Sequence, residues 1–98
     1  MSISERRLRM SGETAELVRS LHPHLKRKVK AALQAILQNP NSDKALKDEL
    51  AGLRSFGVGR LRVIYRTAAG QVIEVVAVGP RKVIYEETFR LLKKNESV

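Results

Sequence analysis

The chain has 98 residues, 43% of them hydrophobic, and its 19 Lys+Arg against 10 Asp+Glu leave a net charge of +9. That length holds one domain, residues 1–98, around a single modest core, and the composition lies in the globular range rather than the disordered one. The absence of cysteine excludes disulfides and thiolate metal sites, and no apolar run approaches the roughly 20 residues that span a bilayer.

The first ten residues, MSISERRLRM, carry charges with no apolar stretch after them, so they do not read as a secretory signal. A cytoplasmic location is expected, with no membrane partner. From Ile3 to Met10 the pattern alternates in part, with Leu8 and Met10 on one face and Arg7 and Arg9 on the other, and predicts an edge strand whose cations discourage unwanted pairing. Ser11 is the candidate N-cap of a first helix, in which Ala15, Leu17, Val18 and Leu21 recur at helical spacing. Pro23 suits the first turn of a second helix, where its missing N–H has no partner to lose. Leu25, Val29, Ala32, Leu33, Ile36 and Leu37 form the buried stripe of that helix. Lys26, Arg27, Lys28 and Lys30 lie mostly off the stripe, and Asn39-Pro40 ends the helix. The tight junction implies an αα-hairpin.

Residues 40–52 are polar and turn-rich, a connector with room for a helical turn through Leu46 and Leu50. Three strands are then predicted over 53–58, 61–67 and 71–78, with turns at Val58-Gly59 and Ala68–Gly70. The last is apolar on both faces and belongs centrally in a sheet. Ile84, Tyr85, Thr88, Phe89, Leu91 and Leu92 predict a short terminal helix, with Lys93 and Lys94 favourably at its C-terminal end. The fold class is α+β: an N-terminal strand, an αα-hairpin, a three-stranded antiparallel meander and a short C-terminal helix. The hairpin covers one face of the sheet. The other face is expected to stay open.

That open face is where the chemistry gathers. Alternation along GRLRVIYR puts Arg60, Arg62, Ile64 and Arg66 on one side and Leu61, Val63, Tyr65 and Thr67 on the other. The remaining cations near these strands are Arg54, Arg81 and Lys82. Guanidinium forks hold phosphate oxygens bidentately and keep their charge at any physiological pH. A phosphoryl transition state gathers charge on its oxygens, so arginines already in place favour it over the ground state. RNA supplies its own nucleophile, the 2′-hydroxyl, so such chemistry needs positioning, a proton acceptor and charge neutralisation, and neither metal nor other cofactor. Tyr85 is the candidate acceptor; its structural alternative is a core tyrosine stacked on Phe89. For Arg62 the alternative is a solvated outer face.

Other chemistries find little support. His22 and His24 flank Pro23 with no acidic residue at ligand spacing, so capping or solvent exposure accounts for them. There is no nucleophile elbow. Gly57 and Gly59 sit in a hairpin rather than before a helix, which makes them turn residues rather than a phosphate loop. With two Tyr, two Phe and no Trp, few rings are available for stacking on bases.

AGLRSFGVGRLRVIYRT followed by QVIEVVAVGPRKVIYEE resembles the RelE/ParE superfamily of toxins, through the glycine before x-R-V-I-Y-R and the V-G-x-R strand end before V-I-Y-E. The resemblance runs over nearly the whole chain. It implies a RelE-like fold, with a sheet like that of microbial ribonucleases, in a toxin neutralised by a cognate acidic antitoxin. The RelE branch cuts mRNA in the ribosomal A site without metal and so blocks translation. Residue by residue, Arg62 and Arg81 would bind and stabilise the scissile phosphate, Arg81 would also assist the leaving oxygen, and Tyr85 would orient or deprotonate the nucleophile. Arg54, Arg60, Arg66 and Lys82 would hold RNA. The chain departs from the RelE pattern at Leu53, Ser55 and Gly57, where active members carry basic residues, and in a short interval from Arg81 to Tyr85. Arg54 lies beside these positions, on the face of Phe56. Two other implications therefore stay open: a catalytically weakened RelE homologue, or a ParE-like toxin that inhibits DNA gyrase and needs no catalytic set. Each implies an antitoxin segment that folds over the basic face.

Overall fold

A computed structural model describes residues 6–41 and 43–96. The chain runs β1 (Arg7–Met10), α1 (Gly12–Arg19), α2 (Pro23–Gln38), β2 (Lys44–Ala45), a single 3₁₀ turn (Asp48–Leu50), β3 (Arg54–Val58), β4 (Leu61–Ala68), β5 (Val72–Pro80) and α3 (Arg81–Glu96). The part of the expected first strand at Ile3–Glu5 lies outside the described residues. The five strands form one sheet in the order β1-β5-β4-β3-β2. β1 pairs with β5 in parallel and every other pairing is antiparallel. β5, flanked on both sides, holds the central place its apolar composition predicts.

The helix starts follow from local chemistry. The Ser11 hydroxyl accepts the Thr14 N–H at 3.1 Å, satisfying one of the donors left over in a first turn. His22 caps α2 through Nδ1, which accepts the His24 N–H at 3.1 Å, and Pro23 occupies the first turn. α2 buries Val29, Ala32, Leu33 and Ile36 against the sheet, while Leu25 and Leu37 stay half-buried at the margin. From the sheet, Val58, Val63, Tyr65, Ile73, Val75 and Val78 complete this core. Tyr65 is fully buried and its hydroxyl donates to the Pro40 carbonyl at 2.7 Å. Burial pushes its phenol above the ordinary value, against the opposing pull of the Arg54 guanidinium.

The second face is not open, which corrects the expectation from sequence. α3 has 16 residues, about four and a half turns, and crosses this face. Ile84 and Thr88 are fully buried and Leu92 partly so, at successive four-residue steps along one stripe. Ile84 joins Leu53, Ile64 and Ala77 in a second core, with Leu46 and Leu50 of the connector packed on its rim. Two features of β5 make room. A bulge, where Ile64 pairs with Ala77 and Tyr65 with Val75, turns both Val76 and Ala77 toward α3. Gly79 has no side chain where one would press on Ile84: a Cβ there would stand 3.0 Å from Ile84 Cδ1. The strand therefore passes through Pro80 directly into a helix that folds back on it. Among the described residues no helix is long and apolar enough to cross a membrane.

Candidate nucleic-acid interface

On the α3 face the register lines up three groups. Arg62 pairs with Gly57 on one side and Gly79 on the other. Its guanidinium lies over Gly57, whose missing Cβ would be 3.0 Å from Nη1 and 3.2 Å from Cζ. Glycine at 57 thus gives Arg62 its place. Arg62 is half-buried, and its Nε is sealed from solvent with no hydrogen-bond partner among the described residues. A buried donor without an acceptor costs about 1–3 kcal/mol. An anionic oxygen would remove that cost once the side chain shifts on Gly57 to uncover Nε.

Two residues along β3, about 7 Å away at strand spacing, the fully buried Ser55 Oγ shares a 3.0 Å hydrogen bond with the Tyr85 hydroxyl. Tyr85 is half-buried against the second core rather than stacked on Phe89, whose ring instead lies 5.6 Å from Lys93 Nζ. The phenol opens onto a cavity of about 360 Å³ flanked by Lys44 and Lys47 over a floor of Leu46 and Leu50. The two lysines and Ser55 are site residues the sequence did not disclose. β2 has only two residues, too few for periodicity to register, and a serine gives no charge signal. Only the register, with Lys44 opposite Ser55, brings them to the tyrosine.

In the other direction along β4 lies the hairpin tip. Gly59, at φ +59°, and Arg60 turn β3 into β4. The Arg81 N–H donates to the Arg60 carbonyl at 2.9 Å, which ties the start of α3 to this tip. Arg60, Arg81 and Lys82, all exposed, flank an open cleft of about 490 Å³ beside Gly59 and Pro80. Along the strands the order is Tyr85 with Ser55, then Arg62 on Gly57, then Arg60 with Arg81 and Lys82. This is a cationic track with a hydroxyl at one end.

Two of the expected RNA-binding residues lie off the track. Arg54 points to the Phe56 face, as alternation requires, and its Nη2 donates to the Asn41 carbonyl at 3.1 Å and to the Asp43 carbonyl, holding the connector down. Arg66 shares Arg62's face but lies at the far end of β4, where its Nε donates to Glu74 Oε1 at 2.7 Å. Arg9 of β1 reaches the same carboxylate at 3.5 Å. The Arg66 hydrogen bond leads in holding the Glu74 carboxyl below its ordinary range, against partial burial, with both arginine charges adding to it.

A family model for the ParE toxin of type II toxin–antitoxin systems, parDE, matches residues 12–85. No curated protein sequence matches the chain. Among solved structures, a chain of the RelBE2 toxin–antitoxin complex from Mycobacterium tuberculosis is 24% identical, with a TM-score of 0.67, over 78% of this chain and 98% of that one. A mutant E. coli RelE toxin in the free state gives 18% identity and a TM-score of 0.68 over 87% and 90%. The archaeal RelE–RelB complex from Pyrococcus horikoshii gives 21% and 0.63 over 81% and 97%. At these identities the likeness is one of fold.

Proposed function

The chain belongs to the ParE toxin family of type II toxin–antitoxin systems, and from that premise we propose that this toxin acts on RNA, cutting messenger RNA in the ribosomal A site. One observation carries the reading. Arg62 holds a buried, unpartnered Nε over an exposed glycine, on a track that runs from a tyrosine hydroxyl to further cations. A phosphodiester laid along β4 would give Arg62 its missing acceptor as the side chain shifts to uncover Nε.

The 2′-oxygen then attacks the adjacent phosphorus and the bond from phosphorus to the 5′-oxygen breaks. The products are a 2′,3′-cyclic phosphate and a free 5′-hydroxyl. Tyr85, having first released its phenolic proton to solvent, takes the nucleophile's proton as its hydrogen bond with Ser55 rearranges. Arg62 neutralises the non-bridging oxygens. Arg81 stabilises charge on the leaving oxygen without giving up a proton, because guanidinium does not deprotonate in proteins; water protonates the 5′-oxygen. The cognate antitoxin covers this track with an acidic segment. The mycobacterial and archaeal relatives were solved as toxin–antitoxin complexes, which supports that pairing.

Purified toxin mixed with programmed ribosomes should produce A-site cuts, mapped by primer extension. Arg62→Ala and Arg81→Ala should each slow cleavage by about 10²–10³-fold, as removal of a transition-state donor does. Cleavage by Arg81→Ala at the wild-type rate would overturn the assignment. A second reading is favoured by the cation-free row of Leu53, Ser55 and Gly57 on the site face of β3: a non-enzymatic, ParE-like inhibitor of DNA gyrase. Loss of supercoiling at saturating toxin, with ribosome-bound message left intact, would select it.

A further inference from the structure

α2 packs on the sheet face opposite Arg62, and its outer surface has no role in the site. That surface carries Lys26, Arg27, Lys28 and Lys30, with no carboxylate anywhere in the helix. Arg27, Lys28 and Lys30 are exposed and Lys26 is half-exposed. Among the described residues no ion pair reaches any of them. Lys26 and Lys30 are four residues apart and Arg27 and Lys30 three, so they are surface neighbours; like charges so placed cost the helix a few tenths of a kcal/mol per pair, about 0.2–0.5. Arg27 stands at the crown and Lys28 on the opposite flank, about 100° further round. Among the described residues nothing relieves this repulsion.

We infer that the N-terminal half of α2 is a second polyanion surface, separate from the cleavage track, which grips the backbone of double-stranded nucleic acid. Lys26 to Lys30 spans about 6 Å of helix axis, and a duplex carries one phosphate per about 1.7 Å. That spacing counts both strands; one strand presents a phosphate per about 3.4 Å, so Arg27 at the crown with Lys26 and Lys30 beside it faces about two phosphates of the strand it meets. The rest of the outer face is Pro23, His24, Ala31, Gln34, Ala35 and Gln38, with no Phe, Tyr, Trp or large aliphatic side chain. Its one ring, the His24 imidazole, makes no platform on which successive bases stack, and it lacks the apolar centre of a protein–protein contact and the apolar residues that anchor a helix in a lipid surface. A polar, positively charged, non-stacking surface matches a duplex backbone. The toxin would then hold structured nucleic acid with one side and present Arg62 and Tyr85 on the other.

The test is binding of a mixed-sequence RNA duplex of about 20 base pairs to the full chain by fluorescence anisotropy, between about 50 and 200 mM NaCl. The quadruple variant Lys26→Gln, Arg27→Gln, Lys28→Gln and Lys30→Gln keeps good helix formers at every site, and its circular dichroism and melting report folding. We expect the slope of log affinity against log salt to shrink by about 2, near 0.9 per lost phosphate contact. A triple variant of the track, Arg60→Gln, Arg81→Gln and Lys82→Gln, should keep most of the duplex affinity. An unchanged slope in the folded quadruple variant overturns the proposal. So does loss of duplex binding in the triple variant alone, or a quadruple variant that loses only poly-glutamate or anionic-vesicle binding. None of these readouts involves cleavage, so failure here is distinct from failure of the proposed activity.

Discussion

Single residues in this sheet show how the same side-chain type takes different work from its register. Arg66 and Arg9 converge on Glu74 because β4 and β1 flank it on the same sheet face, opposite Glu74 in both ladders. The pair is partly exposed, Arg66 by 45% and Glu74 by 26%, so solvent screening holds its contribution to about 1 kcal/mol. Its pH dependence has a definite sign. The folded-state pKa of Glu74 is lowered, so the stabilisation is complete above the unfolded-state pKa and disappears as pH falls through the folded one. Glu74→Gln should therefore lower the urea midpoint slightly at neutral pH, and the two midpoints should meet in strong acid. A gap that widens with acidification would contradict the ion-pair account. Arg62, four residues from Arg66 on the same strand and face, has no such carboxylate among the described residues, which is why the proposed phosphate site centres on it.

At the scale of elements, the β5–α3 junction decides the architecture. Gly79→Ala would set a methyl about 3.0 Å from Ile84 Cδ1 in a fully packed corner, and should destabilise by about 1–3 kcal/mol. Thermal melting of that variant beside Gly57→Ala separates the two glycines. Gly57 is exposed and meets only the mobile end of Arg62, so its substitution should leave the melting temperature nearly unchanged while displacing the guanidinium. Much of this level was legible in the sequence. The αα-hairpin announced itself through period and caps, and the three long strands through alternation. What escaped was non-local. The parallel pairing of β1 with β5, the two-residue β2 and the passage of α3 over the second face depend on which surfaces meet, and periodicity records only that a surface exists. The stripe of Ile84, Thr88 and Leu92 reads as an amphipathic helix but does not name its partner. The candidate site was legible in the same partial way: the resemblance proposes Arg62, Arg81 and Tyr85, while Ser55, Lys44 and Lys47 come beside Tyr85 only through strand pairing.

Over the whole molecule, a net charge of +9 on 98 residues makes salt act in opposite directions on stability and on binding. The described ion pairs are few and largely exposed, and two of the four join neighbours on one helix, so screening them removes little. The unrelieved term is repulsion among the cations of α2, the hairpin tip and the start of α3, which opposes the compact state. Raising NaCl from about 10 mM to about 150 mM shortens the screening length from about 30 Å to about 8 Å, well inside the 42 Å long axis of the molecule. The free protein should therefore melt at a higher temperature in salt, by about 4–8 °C for each kcal/mol of repulsion screened. Over the same range its affinity for a polyanion should fall, because each phosphate neutralised releases counterions. Differential scanning calorimetry of the free chain checks the first trend and anisotropy titration the second. A melting temperature that falls with salt would mean that attractive pairs dominate the surface, and the cations would then be occupied internally rather than held for an external anion.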